Sequence, residues 1–489
     1  MATLAPSGSL PSRLPKLVIV AILILAVFMA SIPHWNYSYP LHIDEWWHLG
    51  DSVSLAETGH VPFPNFFEAG THVWPDRELG FHLLLSQIKI STGASWLVLP
   101  LILPSLILAI LVVQLYALGR REGWGLWAAF IVALIPTTTR FLGPAFLVPV
   151  AVGLVFIPAT MFVLRNLMND WKGLVILLVM FTSLMLIHPP SLVALSAIVA
   201  VHSLVRAIPV GGRQDSRARR TALAMALLGS TYIIMWVWAP DLVRLIVEEG
   251  LDPNAHISLP PISNALSQFG YIPFALAALG TAVIAYRGNR DDWALVLSVM
   301  LLLGFQTIYP ILYLGPDIVY ERGWLYIYVL TAMLAGISMR HVWQWTSTAF
   351  SGRMWALGAS RALAILVLIG MVSQSIYSHL REPYYQVIDD STYEEFLWIR
   401  DNVPSEYDVA LVDTGLAWAF ATVTEKAVYA AEVAPNFHEK GRAAMEFLAE
   451  GAEDTEWLRE NGIRIVYTSE DVNNEDLSRI RNNTYLLLD

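Results

Sequence analysis

The chain has 489 residues, of which 56% are hydrophobic, 15% are charged and none is cysteine. This composition and a mean hydropathy of +0.53 exclude an ordinary soluble protein and predict a polytopic membrane protein. The formal net charge is −11, but residues 379–489 hold 23 acidic and 9 basic side chains, so the acidity belongs to a polar C-terminal segment. No basic block of the kind that nucleic acids require is present, which excludes nucleic acid as a partner.

Eleven apolar stretches approach the ~20 residues that a membrane helix needs. They lie near 17–33, 96–119, 124–137, 149–165, 173–188, 190–206, 221–239, 269–286, 293–310, 323–340 and 361–378. The first stretch lacks a small-residue cleavage site, so we interpret it as a retained anchor rather than a signal peptide.

The basic residues between these stretches predict the orientation of the chain. With a cytoplasmic N-terminus, sixteen Lys and Arg residues fall inside and only five fall in the outer loops, in agreement with the positive-inside rule. These five are Arg77, Lys89, Arg140, Arg244 and Arg322. We therefore predict a multi-pass protein of the cytoplasmic membrane, with the first loop and the C-terminal segment outside.

The first outer loop, residues 34–78, is unusually long. Within it, residues 44–58 predict an amphipathic helix that Asp44 caps and Gly59 ends. A second helix at 79–91 is too short to span and is expected to lie in the membrane interface. We assign both, with all eleven spans, to a transmembrane domain at 1–378.

The C-terminal segment, residues 379–489, predicts a small α/β domain on the outer side. Its helices are expected at 391–402, 439–450 and 455–461, and its strands at 408–412, 426–431, 463–468 and 485–488.

Asp44 and Glu45 form an acidic pair flanked by His42, Trp46, Trp47 and His48. Two interpretations remain open for this pair. Asp44 is a helix cap and Glu45 a first-turn charge, or the pair supplies a general base in a pocket at the membrane surface. A third alternative is a divalent metal held by His42, Asp44 and His48, with His60, His72 and His82 as further candidates, although their spacing matches no closed metal signature.

The outer cations also allow two interpretations. Each Arg or Lys alone can extend its charge to lipid headgroups. As a group they are exceptions to the positive-inside rule, and a guanidinium suits the phosphate of a lipid substrate.

Together these features resemble the GT-C superfamily of integral-membrane glycosyltransferases. The resemblance depends on Asp44-Glu45 at the start of a long first outer loop, on the two helices after it, and on the Trp74-Pro75-Asp76-Arg77 entry to Leu79-Gly80-Phe81-His82. It is best over residues 17–170 and only architectural in the C-terminal segment. The chain looks most similar to the protein O-mannosyltransferase and aminoarabinose-transferase branch, in a prokaryotic form, because the Trp-Trp-Asp-Tyr-Gly motif of oligosaccharyltransferases is absent.

The resemblance implies transfer of a sugar from a polyprenyl-phosphate donor, such as a dolichyl phosphate, to a protein, lipid or glycan acceptor on the outer face. It implies Asp44 as the catalytic base, with Glu45 assisting. Arg77, Lys89, Arg140 and Arg322 are then candidates to bind the donor phosphate. Candidates to line the substrate site are His42, Trp46, Trp47, His48 and His82.

Two function classes compete with an enzyme. A lipid or solute transporter would bury its charges near the membrane midplane, whereas here the spans carry few charges. A non-enzymatic receptor or assembly protein would use the acidic C-terminal domain for binding.

Overall fold

The computed structural model describes residues 14–73, 78–208, 218–238, 262–312, 317–431, 439–470 and 472–488. Their contacts divide the chain into two compact units. The first, the membrane unit, comprises Met1–Trp35 and Leu101–Pro383, and the second, the outer-loop unit, comprises Asn36–Pro100 and Tyr384–Asp489. This division differs from the predicted one, because it groups the first loop with the C-terminal segment.

The helices follow one another through both units. They are α1 Leu14–Ser31, α2 Ile43–Thr58, α3 Leu79–Thr92, α4 Val98–Gly119, α5 Gly125–Val132, α6 Pro149–Asn166, α7 Trp171–Ile187, α8 Pro189–Ala207, α9 Ala218–Trp238, α10 Ile262–Phe269, α11 Tyr271–Arg287, α12 Arg290–Leu312, α13 Asp317–Ala349, α14 Met354–Arg381, α15 Asp390–Asn402, α16 Thr414–Thr424, α17 Glu439–Ala449 and α18 Thr455–Glu460. The strands are β1 Phe63–Pro64, β2 His72–Val73, β3 Val409–Val412, β4 Ala427–Val428, β5 Ile465–Tyr467, β6 Leu477–Arg479 and β7 Thr484–Leu487.

The membrane unit is helical, as predicted. In the part of the chain that the structure describes, seven helices are long and apolar enough to cross a membrane: α1, α4, α6, α8, α12, α13 and α14. Two further apolar helices, α7 and α11, have 17 residues each, and α9 covers the predicted span at 221–239. A multi-pass membrane protein is therefore confirmed, with ten of the eleven predicted stretches in helices of 17 residues or more.

The third predicted span, at 124–137, differs from the prediction. Its helix α5 has only eight residues, and a buried segment without regular structure follows it. Pro136 has no N–H to continue a helix. The hydroxyl oxygens of Thr137 and Thr138 instead accept hydrogen bonds from the backbone N–H groups of Ala145 (2.9 Å) and Phe141 (3.1 Å). Side chains thus satisfy the backbone where the helix has ended.

The C-terminal half of the outer-loop unit contains the predicted α/β domain. Its five strands lie in the order β4-β3-β5-β7-β6. Strand β3 pairs in parallel with β4 and β5, whereas β7 pairs antiparallel with β5 and β6. The three predicted helices and four predicted strands are present within a few residues, but α16 and β6 were not predicted.

Residues of the first loop complete this domain. Backbone hydrogen bonds of 2.8 Å join Val428 N to Phe66 O and Ala69 N to Val428 O, so the loop covers the edge strand β4. An exposed sheet edge otherwise invites pairing with other chains. The loop and the C-terminal domain therefore fold as one unit.

Helix α2 packs on α16 within this unit. The Thr422 hydroxyl donates to the carbonyl of Trp46 (2.9 Å), and the Trp46 ring is fully buried in the shared core. Gly50 allows the close approach, since a Cβ atom there would lie 2.4 Å from the Phe67 ring and 2.7 Å from Thr422 Oγ1. This packing fixes the orientation of α2 and of the acidic pair at its start.

Helix α3 has two different faces. Phe81, His82 and Leu85 are buried, whereas Leu83, Leu84 and Ile90 are exposed. An exposed apolar face on a short helix suits the membrane interface, so the predicted interfacial position of this helix stays a prediction that its surface supports.

Candidate active site

The start of α2 positions the acidic pair. His42, rather than Asp44 as predicted, is the N-cap, and its Nδ1 atom accepts the N–H of Asp44 at 3.1 Å. Glu45 completes a capping box, because its Oε2 atom accepts the N–H groups of Leu41 (2.7 Å) and His42 (3.2 Å). The correction follows from the extended backbone of His42, which is the conformation that an N-cap requires.

The two carboxylates therefore differ in what they can do. Glu45 is fully buried and is engaged with the backbone. The Asp44 side chain is 32% exposed, and its Oδ1 atom lies 3.3 Å from His42 Nδ1. Since that nitrogen accepts the N–H of Asp44, it carries no proton to donate to the carboxylate. Asp44 also lies in the first turn, where the helix dipole favours negative charge. Of the pair, Asp44 is therefore the accessible carboxylate.

Behind Asp44 lies a buried cluster that we call the histidine cluster: His48, His82, Asp51 and Glu78. His48 Nδ1 is 3.2 Å from His82 Nε2, within hydrogen-bonding distance. Glu78 Oε2 lies 3.7 Å from His48 Nε2, and Asp51 Oδ2 lies 3.8 Å from His82 Nε2. These longer separations are electrostatic contacts rather than hydrogen bonds. The cluster joins α2 to α3.

Burial determines the charge of the two imidazoles. Removal from water lowers the pKa of His48 from its usual 6.5 to about 4, against a smaller opposing effect of Asp44. Burial, followed by the proximity of His48, lowers the pKa of His82 well below its usual value. Both rings are therefore neutral near pH 7, and one nitrogen of the 3.2 Å contact donates its proton to the other.

The aromatic and histidine residues predicted to line a substrate site differ in exposure. Trp46, His48 and His82 are almost completely buried, and His42 is occupied as the cap. Trp47 is partly exposed and stacks on His48, with ring centroids 4.9 Å apart and planes 21° apart. Trp47 is therefore the accessible member of this predicted set. The lining role stays a prediction for all five.

The predicted metal ligands do not form a metal site. His42 and Asp44 are close, but His48 turns its ring toward His82. Among the residues that the structure describes, no group of three or more His, Cys, Asp or Glu side chains is arranged to hold a metal ion. The donor set present thus does not fit the metal alternative, and we derive no chemical step from a metal.

The predicted phosphate-binding cations lie in different places. Arg77 falls outside the described residues. Lys89 belongs to the outer-loop unit, where its ammonium group lies 5.8 Å from the Trp96 ring centroid. Arg140 and Arg322 come together in the membrane unit.

Glu321 joins these two arginines into what we call the arginine cluster. Its carboxylate lies 3.5 Å from Arg140 Nε and 3.7 Å from Arg322 Nη1. Arg322 also donates to the carbonyl of Arg140. Two guanidinium groups therefore contact the same carboxylate. About one-third of the Arg140 side chain is exposed.

Sequence analysis did not single out Asp51, Glu78 or Glu321. A signal was present for two of them. Asp51 follows His48 by nearly one helical turn, and Glu321 is adjacent in sequence to Arg322. Glu78 contacts His48 only through the packing of α3 on α2, which sequence spacing does not show.

Comparison with known proteins identifies the fold. No family model and no curated protein sequence matches the chain. Among solved structures, the Archaeoglobus fulgidus oligosaccharyltransferase in the apo form matches with a TM-score of 0.65 and 11% identity, covering 94% of this chain and 70% of that chain. The same organism's AglB in complex with an inhibitory peptide and a dolichol-phosphate matches with a TM-score of 0.64 and 12% identity, over 93% of this chain and 70% of that chain.

ArnT from Cupriavidus metallidurans bound to undecaprenyl phosphate has a TM-score of 0.61 and 10% identity, and the match covers 98% of both chains. The matches thus include both an oligosaccharyltransferase and an aminoarabinose transferase, so the preference for one branch stays a prediction. The fold of this chain is that of the GT-C membrane glycosyltransferases.

Proposed function

We propose that this protein is a membrane glycosyltransferase that moves a sugar from a polyprenyl-phosphate-linked donor to an acceptor hydroxyl on the outer face of the membrane. The observation that carries the proposal is the GT-C fold combined with a partly exposed carboxylate, Asp44, at the start of the first-loop helix. Structures of the same fold were obtained with undecaprenyl phosphate and with dolichol-phosphate, which supports a lipid-phosphate donor.

In the proposed reaction, the oxygen of the acceptor hydroxyl attacks the anomeric carbon of the donor sugar. Asp44 removes the proton from that hydroxyl as the attack proceeds. The bond between that carbon and the phosphate oxygen breaks, and its electron pair leaves with the polyprenyl phosphate. A single displacement of this kind inverts the anomeric configuration. Glu45 assists indirectly, since its capping hydrogen bonds fix the turn that carries Asp44.

The donor phosphate bears negative charge before and after transfer. We propose that Arg140 and Arg322 bind it, and we retain Arg77 and Lys89 as further candidates. The arginine cluster suits this role because it brings two guanidinium groups together at Glu321, and Arg140 keeps about one-third of its side chain exposed. Charge-assisted hydrogen bonds from guanidinium groups to phosphate are about twice as strong as neutral ones.

One structure of the Archaeoglobus fulgidus enzyme is a complex with Zn and sulfate. In this chain, the side chains proposed for catalysis and donor binding are a carboxylate and guanidinium groups, and a metal is not required in the proposed steps.

The sixteen cations of the predicted inner segments against five in the outer loops support placing the reaction on the outer face.

The direct test is an assay of the full chain in lipid nanodiscs with a panel of polyprenyl-phosphate sugars and an extract of outer-face acceptors. We expect transfer from at least one donor by the native protein. If no member of the panel is consumed or hydrolysed while the protein is folded, the glycosyltransferase proposal is wrong. Uptake of a lipid without sugar transfer would instead favour the transporter class.

A further inference from the structure

A cavity with several polar groups in its lining lies within the membrane unit. It is lined by Leu134, Pro136, Gln268, Phe269, Gly270, Pro273, Tyr328, Met371, Gln374, Ser375 and Ser378. The lining contains two carboxamides and three hydroxyls but no ionisable Asp, Glu, Lys, Arg or His side chain. Its volume is about 20 Å³, which is room for a water-sized group.

The hydrogen bonds around the cavity leave several oxygen atoms able to accept a further hydrogen bond. The Tyr328 hydroxyl donates to the carbonyl of Ile131 (3.1 Å), and the Ser375 hydroxyl donates to the carbonyl of Leu134 (3.1 Å). Both donors are therefore spent on the backbone where α5 ends, while the oxygen lone pairs remain. The Oε1 atom of Gln268 is buried and, among the residues that the structure describes, has no hydrogen-bond partner.

An unpaired buried acceptor costs about 1–3 kcal/mol, so this lining favours a ligand that brings donors. A hydroxyl group fits. An ammonium group fits poorly, since the lining has no carboxylate to balance its charge, and a phosphate fits poorly, since the lining has no cation. The small volume admits one hydroxyl or hydroxymethyl group rather than a whole sugar ring.

The cavity can be reached from the protein surface. Gln268, Gln374 and Ser378 are only partly buried. In the predicted orientation, Pro136, Gly270 and Ser378 all fall at the outer ends of their spans. The cavity is thus expected on the same side of the membrane as the proposed reaction.

Two chain segments lead from the neighbourhood of Arg140 to this cavity. Thr139, next to Arg140, donates from its N–H (2.8 Å) and its hydroxyl (2.9 Å) to Glu382 Oε1. Arg140 follows Pro136 by four residues, and Glu382 follows Ser378 by four. Four residues span at most about 14 Å. A phosphate at Arg140 would therefore keep an attached sugar within reach of the cavity.

We propose that this cavity is a subsite for a neutral hydroxyl group of a sugar carried by a lipid substrate, recognised by Gln268 and Gln374 with Tyr328 and Ser375 as acceptors. The inference rests on the proposed function, because it names the sugar's binding contact in that reaction. The sugar can belong to the polyprenyl-phosphate donor or to a glycolipid acceptor, and the test distinguishes the two sources.

The absence of cysteine makes a labelling test direct. Ser378→Cys introduces a single thiol at the cavity, and Ser360→Cys introduces one on the same helix, α14, eighteen residues away. The rate of maleimide labelling is measured for the full chain in nanodiscs with polyprenyl phosphate, with a panel of polyprenyl-phosphate sugars and with a neutral glycolipid. We expect at least one sugar-bearing lipid to slow labelling of Ser378→Cys several-fold, with no effect on Ser360→Cys.

The pattern of protection identifies the ligand. Protection by a polyprenyl-phosphate sugar assigns the subsite to the donor, and protection by the glycolipid alone assigns it to the acceptor. Equal protection by polyprenyl phosphate without a sugar overturns the inference. If no lipid protects Ser378→Cys, the inference is also overturned. Turnover of the donor panel in the separate assay then shows whether the proposed function itself still stands.

A second measurement checks the recognition by the carboxamides. Adding Gln268→Leu or Gln374→Leu to Ser378→Cys should raise the concentration of the protecting lipid needed for half-maximal protection about 3- to 10-fold, as the loss of one hydrogen bond to a neutral group predicts. Unchanged protection in both variants would overturn the assignment of those residues. Retained binding of sugar-free polyprenyl phosphate serves as the folding control.

Discussion

The histidine cluster and the arginine cluster hold similar numbers of charged or titratable groups, but they differ in burial. In the histidine cluster, the removal of His48 and His82 from water leaves both rings neutral. In the arginine cluster, Arg140 keeps about one-third of its side chain exposed, and two guanidinium groups contact the same carboxylate. The first arrangement is suited to joining two helices, and the second is suited to binding an anion. Polar residues near a proposed site therefore need not all serve the reaction.

The comparison predicts, as its largest effect, that the protein loses folding stability at acidic pH because the histidine cluster is buried. The folded state holds His48 with a pKa of about 4, whereas the unfolded chain has the usual 6.5. The contribution of His48 to the free energy of unfolding is therefore fully present above pH 6.5. It falls as the pH drops toward 4, because protons bind the unfolded chain first. For His48 alone the difference corresponds to about 3 kcal/mol.

Hydrogen–deuterium exchange of α2 and α3 in the full chain, corrected for the intrinsic effect of pH, measures this loss. His48→Gln should weaken the pH dependence, while exchange in His60→Gln, at an exposed histidine of the same unit, should follow the native protein. If His48→Gln leaves the pH dependence unchanged, the histidine cluster does not hold its rings neutral.

The next effect concerns donor binding by the arginine cluster. Arg140→Ala and Arg322→Ala should each weaken binding of a polyprenyl phosphate about 10- to 100-fold, as expected for a hydrogen bond to a charged group worth about 1.5–3 kcal/mol. Glu321→Gln should strengthen it and make it more sensitive to salt, because the net charge of the cluster rises. Binding in nanodiscs by microscale thermophoresis measures both, with Arg353→Ala on the predicted inner side as a matched control.

Equal losses in Arg140→Ala, Arg322→Ala and Arg353→Ala would assign the effect to the overall charge rather than to this cluster. Weaker binding in Glu321→Gln would show that the carboxylate positions the arginines more than it competes with the phosphate.

The smallest effect tests how the first loop is held to the C-terminal domain. Glu57, near the end of α2, shares a hydrogen bond with Glu425, which follows α16. Burial first, and then Glu425, raises the pKa of Glu57 from 4.5 to about 7. The raised pKa of Glu57 in the folded state stabilises the protein fully below pH 4.5, and this contribution is lost as the pH rises from 4.5 through 7.

In Glu57→Gln, the side-chain amide can donate the hydrogen bond to Glu425 without a proton that titrates. We expect its melting temperature to match the native protein at pH 4 and to exceed it by about one or two degrees at pH 8.5, since a half-exposed pair contributes little. Thermal unfolding followed by tryptophan fluorescence gives both values. A lower melting temperature at pH 8.5 would show that the ionised pair is not repulsive.

Much of the fold could be predicted from local patterns. Apolar runs located the membrane helices, and alternation with polar caps located the C-terminal helices and strands, because these signals lie within one element. Helix α16 was missed for a physical reason: its eleven residues are apolar, Thr or Gly, with no charged residue to mark a polar face of helical period. Its burial against α2 provides the stability that its own pattern does not indicate.

The contacts that join distant segments could not be predicted. The Thr422 hydroxyl meets the Trp46 carbonyl, and the Tyr39 hydroxyl donates to Asp390 Oδ1 at 2.8 Å, across more than 350 residues of sequence in both cases. The acidic pair itself was visible in the sequence. What the structure adds is that Glu45 caps the helix while Asp44 remains accessible, a difference that depends on the backbone of His42.

The central claim is that Asp44 acts as the base while Glu45 supports the turn. The most direct test compares the turnover of Asp44→Asn with that of the native protein, using the donor selected from the panel and Asp401→Asn, at an exposed carboxylate of α15, as control. We predict that Asp44→Asn lowers turnover ~10²–10⁴-fold with donor binding and stability unchanged. Native turnover by Asp44→Asn would contradict the assignment.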